Sequence, residues 1–301
     1  MRVLVTGACG LVARALLREL GDRHELRLLD QTLPEEATTF SPGSFERRPD
    51  PLRASWPFVQ AEITDVPAMR AAMEDIEAVI HLAASVSGRP EVGVETFTTN
   101  ALGTFVVIDA ARLVGVRRFL CASSINAYGT IYWRLSGKPP EYKTLPLTED
   151  FPPVPEDPYS LSKLVNEETC AAFHRAYGMT TAAFRFASVW TDEMYRRRLE
   201  EGLEPTQSWN DDLFQWVHVE DVARALRQAL EDPMLPGHGV YTLAAADTRC
   251  PEPTMDILWR FRPDLAASLT RPLPGRSSLV SSDRARLAFG YSPRFALGGV
   301  A

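Results

Sequence analysis

The sequence RVLVTGACGLVARALLREL, residues 2–20, combines a β-branched run, a glycine turn and an apolar-periodic segment. The run at residues 2–6 predicts a strand, and the periodic segment at residues 11–20 predicts a helix. Between them, Gly7 and Gly10 let the backbone approach a pyrophosphate, whose charge is favoured by the N-terminus of the following helix. The stretch therefore predicts the nucleotide-binding βα unit of an α/β fold.

A second predicted strand, residues 25–29, ends at Asp30. In a nucleotide-binding fold of this type, an acid at this position accepts hydrogen bonds from the adenosine ribose hydroxyls and repels a 2′-phosphate. No arginine stands beside Asp30 in the sequence to pair with that phosphate. The acid therefore predicts NAD rather than NADP, and a merely surface-exposed aspartate is the alternative.

Strands and helices continue to alternate along the chain. The further predictions are a long loop at 34–57, strands at 58–63, 78–83, 117–122 and 239–244, and helices at 66–74, 94–115, 222–231, 255–261 and 281–289. Strands separated by helices imply a doubly wound parallel sheet. The strand at 117–122 delivers Ser123 and Ser124 to the carboxyl edge of that sheet, where ligands bind in open α/β folds.

A further helix is predicted to begin after Pro158 and to continue to Tyr177. Tyr159 and Lys163 are four residues apart, so their side chains project from one face. A free tyrosine has a pKa of about 10 and is a poor base at neutral pH. A neighbouring ammonium and a positively charged nicotinamide ring favour the phenolate and lower this pKa. The pair therefore predicts a tyrosine acid/base, and a packing tyrosine is the structural alternative.

Composition excludes several other classes of protein. The 301 residues carry a formal charge of -7, which argues against a nucleic-acid or anionic-membrane partner. Cys9, Cys121, Cys170 and Cys250 lack metal-ligand spacing and predict reduced thiols and no metal site. No run approaches the roughly 18 apolar residues that a membrane span requires. A cytoplasmic protein without a membrane partner is expected.

At this point the chain resembles the extended short-chain dehydrogenase/reductase family, in its NAD-dependent epimerase/dehydratase group. The resemblance covers residues 1–225 and rests on motifs that follow one another in a fixed order. These are TGACG at 6–10, Asp30, HLAAS at 81–85, Asn100, ASSINAYG at 122–129, YSLSK at 159–163, RFASV at 185–189 and WVHVEDVA at 216–223.

The resemblance implies a role for each matching residue. Tyr159 would be the acid/base, Lys163 its partner and a ribose ligand, and Ser124 the hydroxyl that orients the substrate. The implied cofactor-binding residues are Gly7, Cys9, Gly10, Leu11, Asp30, Glu62, Ile63, Leu82, Ala83, Ala84, Asn100, Tyr159, Lys163 and Phe186. The implied substrate-binding residues are Ser85, Ser124, Asn126, Arg185 and Ser188. His81 is interpreted as structural, and His218 either approaches substrate or anchors its own turn.

Two departures from the family pattern concern the substrate. The Tyr-Gly-Pro that many sugar-nucleotide enzymes carry is absent after Ser188, and Phe214-Gln215 stand where Arg-Asp is usual. A phenylalanine cannot bind a diphosphate bidentately, although an arginine within residues 196–198 could supply the charge. Ser85, Ser124 and Arg185 give the chain some likeness to uronate dehydrogenases. In that interpretation Arg185 pairs with a substrate carboxylate, and a buried structural arginine is the alternative.

These observations predict an NAD-binding Rossmann-like domain at 1–187, to which 216–244 return, and a smaller mixed α/β substrate lobe at 188–301. The predicted reaction is hydride transfer at a carbinol carbon of a sugar, sugar acid or related polyol. The alternatives are a sugar-nucleotide epimerase or dehydratase that retains its cofactor, and a non-catalytic NAD-binding scaffold. The resemblance also implies a homodimer formed through the helices at 94–115 and 158–177. Residues 130–153 are expected to overhang the substrate as a lid.

Overall fold

Seven parallel strands form the central sheet of the computed structural model, which describes residues 1–40, 46–53, 55–130, 134–269 and 272–298. Across the sheet their order is β5 (Phe58–Gln60), β2 (Glu25–Asp30), β1 (Arg2–Thr6), β6 (Ala78–His81), β7 (Arg118–Ser124), β8 (Thr180–Phe186) and β11 (His238–Leu243). β1 pairs with β2 on one side and β6 on the other, so the winding direction reverses beside it. The predicted doubly wound parallel sheet is confirmed.

Two short strand pairs lie outside this sheet. One is antiparallel, β3 (Thr38–Phe40) with β4 (Arg47–Pro49), and the other is parallel, β9 (Val189–Trp190) with β10 (Val217–His218). The first pair stands inside the stretch that was predicted as a loop. Pro and Ser around it hid the strand signal, and each strand has only three residues.

Helices cover both faces of the central sheet. They are α1 (Leu11–Leu20), α2 (Val66–Ala72), α3 (Gly93–Phe97), α4 (Gly103–Leu113), α5 (Pro158–Tyr177), α6 (Asp192–Glu201), α7 (Val219–Glu231), α8 (Thr254–Phe261), α9 (Pro263–Ser268) and α10 (Asp283–Phe289). On one face α1 and α7 bury Leu16 and Leu226 in a common core, and on the other α2, α4 and α5 bury Met69, Val107 and Phe173. This two-sided cover explains why the strands are almost entirely apolar.

The helix predicted at 94–115 is helical from Gly93 to Leu113 but is not uniform. Between α3 and α4 a π-helical segment, Thr98–Leu102, carries the buried Asn100. Such a segment admits one extra residue per turn and often occurs at functional sites. Here the side chain of Asn100 bonds to Ser85 and Ser162.

A separate hydrophobic core lies beyond the sheet. It joins Tyr128, Leu147 and Phe214 to Ile257 and Leu258 of α8. Residues before and after the predicted boundary at 187 contribute to it, so the second lobe is assembled from distant parts of the chain. Among the described helices, none has the length and apolarity needed to cross a membrane.

Candidate active site

The glycine turn between β1 and α1 forms one wall of the cleft at the carboxyl edge of the sheet. Gly7 has φ +69°, and a Cβ there would lie 2.6 Å from the backbone nitrogen of Ala83. The turn therefore requires glycine both for its conformation and for its contact with the loop after β6. Gly7 and Gly10 border two adjoining cavities of about 310 and 300 Å³.

The first cavity is lined by acidic side chains. Asp30 is fixed at its mouth, because its carboxylate accepts hydrogen bonds from Cys9 N (2.9 Å) and Thr32 N (3.0 Å). Each carboxylate oxygen keeps a lone pair for a ribose hydroxyl. Other residues predicted to bind cofactor also line this cavity, namely Gly7, Gly10, Glu62, Ile63, Leu82, Ala83 and Ala84. Negative charge on this wall disfavours a 2′-phosphate.

Glu95 and Thr99 are among the residues of this cavity that sequence reasoning missed. They are four residues apart, and that spacing was present in the sequence. Nothing in the local sequence indicated that this helix face meets the cleft. Ser85 also lines this cavity, whereas the sequence assigned it to substrate.

Cys9 and Asn100 support the cleft from behind rather than lining it. Burial, followed by the charge of Asp30, raises the pKa of the Cys9 thiol to about 11, so the thiol stays neutral. Asn100 Oδ1 accepts from Ser85 N (2.8 Å), and its Nδ2 donates to Ser85 O (2.9 Å) and Ser162 Oγ (2.9 Å). Asn100 thereby joins the loop after β6 to α5.

The second cavity contains the three residues predicted to be catalytic. Ser124 ends β7, and Tyr159 and Lys163 stand on the first turns of α5; all three line the cavity together with Leu11 and Phe186. The Lys163 Nζ donates to Ala122 O (3.0 Å) and lies 5.6 Å from the centroid of the Tyr159 ring. The structure thus brings the ammonium and the phenol together at the sheet edge.

The start of α5 is fixed by Asp157, whose carboxylate caps the helix by accepting from Ser160 N (2.9 Å). A cap of this kind satisfies a backbone donor that has no partner within the helix. Because Tyr159 is the second residue of α5, the cap also fixes the backbone position from which the Tyr159 side chain projects. Helix start and phenol position are thus determined by the same residue.

Burial has the largest effect on the pKa values of Tyr159 and Lys163 in the protein without cofactor. Burial raises the pKa of Tyr159 to about 12; the side chain of Ser124 opposes this effect and the charge of Asp157 adds to it. Burial also lowers the pKa of Lys163. The sequence-based prediction, that the ammonium and a bound nicotinamide ring together lower the tyrosine pKa, concerns the NAD-bound protein; without cofactor, desolvation has the largest effect on this pKa.

Arg185 is held in a buried ion pair beneath the cleft. Its Nε and Nη2 donate to the two carboxylate oxygens of Glu167 at 2.9 and 2.7 Å, and its guanidinium lies 4.3 Å from the centroid of the Tyr128 ring. Glu167 also accepts from Ser123 Oγ. Arg185 is 3% exposed and lines none of the cavities described here. Its position corresponds to the structural alternative and corrects its assignment to a substrate carboxylate.

A third, smaller cavity of about 180 Å³ opens beside Tyr159. It brings together Ser124, Asn126 and Ser188, all predicted to contact substrate, and adds Gln215, which was not among the predicted site residues. Phe214 is buried in the second core, so this position supplies no cation. Arg196 and Arg197 pair with Asp192 and Glu201 on exposed α6.

The two histidines of the motifs have structural partners. His81 lies between Thr6 Oγ1 (2.8 Å) and Thr104 Oγ1 (3.0 Å), and burial, helped by the charge of Lys163, lowers its pKa to about 3. His218 Nδ1 accepts from Glu220 N (3.2 Å) and caps α7. Within the described ranges, no cluster of His, Cys, Asp and Glu has an arrangement suited to a metal ion.

Comparison with known proteins identifies the family to which this chain belongs. A family model, NAD dependent epimerase/dehydratase family, matches residues 3–244. The chain belongs to this family. It is therefore an enzyme of the extended short-chain dehydrogenase/reductase type, and NAD is the cofactor of the family. The glycine turn, Asp30 and the two adjoining cavities fit that cofactor.

Individual members of the family catalyse different reactions. The chain is 32% identical over 213 residues to an NAD-dependent glucose-6-phosphate dehydrogenase of Haloferax volcanii, covering 69% of this chain and 76% of that one. It is 24% identical to a UDP-glucose 4-epimerase of Corynebacterium glutamicum, over 97% of this chain and 91% of that one. Among solved structures, a short-chain dehydrogenase/reductase superfamily protein from Agrobacterium tumefaciens with bound NAD has a TM-score of 0.70, 23% identity, and coverage of 99% and 94%.

Proposed function

We propose that this enzyme transfers a hydride between NAD and a carbinol carbon of a sugar, sugar acid or related polyol, as a dehydrogenase. The observation that carries the proposal is the meeting of Ser124, Tyr159 and Lys163 in one cavity beside the glycine turn. Each of the three is placed by a different constraint: the end of β7, the capped start of α5, and the bond from Lys163 to Ala122 O.

In this mechanism Tyr159 is the proton acceptor. Its phenolate takes the proton of the substrate hydroxyl while the hydrogen on the same carbon leaves with its electron pair, so the alcohol becomes a carbonyl. Ser124 donates a hydrogen bond to the substrate oxygen, and Lys163 favours the phenolate electrostatically. When bound, NAD+ supplies the hydride acceptor, and its positive ring opposes the desolvation that raises the pKa of Tyr159.

Two features favour a dehydrogenase over a sugar-nucleotide epimerase. Phe214 is apolar and buried where a diphosphate-binding arginine would stand, and the relative from Haloferax volcanii is named a dehydrogenase. The epimerase and dehydratase names of other relatives make cofactor-retaining chemistry the second candidate. A non-catalytic scaffold is disfavoured because all three catalytic side chains are present and assembled.

The test is NADH formation by purified protein given NAD+ and a panel of free sugars, uronic acids and polyols. Growth of NADH absorbance with one substrate, abolished by Tyr159→Phe, supports the dehydrogenase. No NADH from any substrate, together with NAD that copurifies and stays bound, contradicts it and favours the epimerase.

We also propose a homodimer formed through the surface of α3, α4 and α5. Apolar side chains stand exposed there, including Val94, Leu102, Phe105 and Leu161. Large apolar patches are rarely left uncovered on a monomer, and these side chains stand on helices that contact one another, which supports association through them. The expected cytoplasmic location stays a proposal, supported by the absence of disulfides among the four buried cysteines, all of which are described.

A further inference from the structure

The small cavity beside Tyr159 is polar but uncharged. Its described lining combines the hydroxyls of Ser124, Tyr159 and Ser188 and the carboxamides of Asn126 and Gln215 with apolar groups. None of these side chains is a cation or a carboxylate, and Tyr159 is charged only as the phenolate of the proposed oxidation. The ammonium of Lys163 belongs to the neighbouring cavity. An anionic substituent entering this cavity would lose water without gaining a counter-charge, whereas a hydroxyl would find both donors and acceptors.

Among the described residues of this wall, Gln215 is the one whose side chain has a fully buried donor without a partner. The side chain is 1% exposed, its Oε1 accepts a hydrogen bond from Ser188 N at 2.7 Å, and its Nε2 is buried without a partner. The bond from Ser188 fixes the orientation of the amide, because only the oxygen can accept it. The NH2 group therefore cannot satisfy itself by a flip, and a buried donor without a partner calls for an explanation.

The backbone before Gln215 gives a second, independent observation. Leu213 and Phe214 are consecutive non-glycine residues with positive φ, 58° and 53°. Asp212 holds them there by accepting from Phe214 N (2.9 Å), and it pairs with Arg249 at 2.6 Å. Backbone conformations of this kind are costly and concentrate where a side chain must be presented to a ligand. The chain is thus constrained at the residues that immediately precede Gln215.

We propose that Gln215 determines substrate specificity by donating a hydrogen bond from Nε2 to an uncharged hydroxyl oxygen of the substrate, close to the carbon that reacts. The proposal rests on the hydride transfer proposed above. It limits the substrate of that reaction to a sugar or polyol that carries no charged group beside the reacting carbon. Because Nε2 is covered, substrate binding includes a small displacement of the cavity wall. Asn126, on the same wall, offers a second carboxamide to the neighbouring hydroxyl.

Gln215→Glu is the sharpest variant, because the carboxylate keeps an acceptor for Ser188 N while an oxygen replaces the donor and a negative charge is added. Gln207→Glu is the matched control, since Gln207 is exposed and its variant adds the same charge. The probes are neutral aldoses and polyols, analogues of the best of them that lack one hydroxyl, and the charged sugars glucuronate, glucose 6-phosphate and UDP-glucose. The readouts are kcat/KM with NAD+ and calorimetric binding of each sugar to the NADH-loaded protein.

With wild-type protein, the analogue lacking the contacted hydroxyl should lose about tenfold to a hundredfold in kcat/KM relative to its parent. In Gln215→Glu the parent should lose a similar factor, and the difference between parent and analogue should disappear. Gln207→Glu should behave as wild type. An unchanged penalty in Gln215→Glu overturns the proposal.

Failure of this inference can be distinguished from failure of the proposed function. Turnover of charged sugars alone would leave hydride transfer standing and overturn the inference. Binding of a neutral sugar without turnover, weakened about tenfold in Gln215→Glu, would support the inference and contradict the dehydrogenase. A wild-type protein that neither binds nor oxidises any neutral sugar would overturn the inference.

Discussion

Tyr159 sets the expected pH dependence at the scale of the single residue. Its pKa is raised to about 12, so the phenol is protonated at neutral pH and the base needed for oxidation is scarce. Oxidation should therefore accelerate roughly tenfold for each pH unit on the limb below the pKa, and reduction should not. The positive charge of bound NAD+ moves this limb to lower pH without changing its sign.

The measurement is kcat/KM for oxidation as a function of pH at constant ionic strength. Tyr159→Phe should lose at least about a hundredfold and show no such limb. Its affinity for NAD should change little. A wild-type profile that stays flat or falls with rising pH would contradict the assignment of Tyr159 as the base.

The pair of Glu167 and Arg185 should control stability rather than substrate affinity. Arg185→Met leaves Glu167 buried without its partner, and breaking such a pair costs about 3–5 kcal/mol. Adding Glu167→Gln removes both charges and should recover much of the loss. Denaturant unfolding measures the free energy of unfolding of both variants. A raised KM with unchanged stability in Arg185→Met would instead support a contact with substrate.

Single residues were the least predictable part of the site. Tyr159, Lys163 and Ser124 could be predicted to lie together, as they do in one cavity, because their types and spacing carry chemistry. Glu95, Thr99 and Gln215 could not, because their roles depend on tertiary approach of distant segments. From the sequence, Arg185 could either pair with a substrate carboxylate or be a buried structural arginine. Only the position of Glu167 in the structure distinguishes these two interpretations.

At the scale of the element, the glycine turn between β1 and α1 can be tested by a small substitution. Gly7→Ala places a Cβ 2.6 Å from Ala83 N, at a residue whose φ is +69°. The variant should lower the free energy of unfolding by about 1–3 kcal/mol and lose most of the affinity for NAD. Gly115→Ala is the control, because Gly115 has φ +83° but open space around it. Titration with NAD and denaturant unfolding give the two readouts. Equal effects of both variants would mean that backbone strain, not the contact with Ala83, governs the turn.

Elements with a strong local period were predicted almost to the residue. Thus β1 and α1 begin and end where the sequence indicates, and α5 begins one residue earlier than predicted, at Pro158, since apolar spacing, glycine and proline are all local signals. The pair β3–β4 and the π-helical segment Thr98–Leu102 were not predicted. Their formation depends on pairing and packing that the local sequence does not encode.

At the scale of the whole molecule, the exposed apolar surface of α3, α4 and α5 predicts self-association. Phe105→Asp should convert a dimer to a monomer, because Phe105 is 51% exposed within that surface. Leu287→Asp is the control, since Leu287 is 77% exposed on the distant α10. Size-exclusion chromatography with light scattering gives the mass. A monomeric wild-type protein, or a dimer that survives Phe105→Asp but not Leu287→Asp, would contradict this interface.

Every neighbouring pair in the central sheet is parallel, so no pair can be closed by a tight hairpin. The strands that pair are far apart in the sequence: β1 pairs with β2 and with β6, and more than fifty residues separate β8 from its partner β11. Entropy is lost on closing such loops before the stabilising contacts between strands form, which makes folding slow. Apolar strand edges stay exposed in the meantime. Stopped-flow refolding should accordingly be slower than for a helical bundle of equal length, and aggregation should compete with it as protein concentration rises.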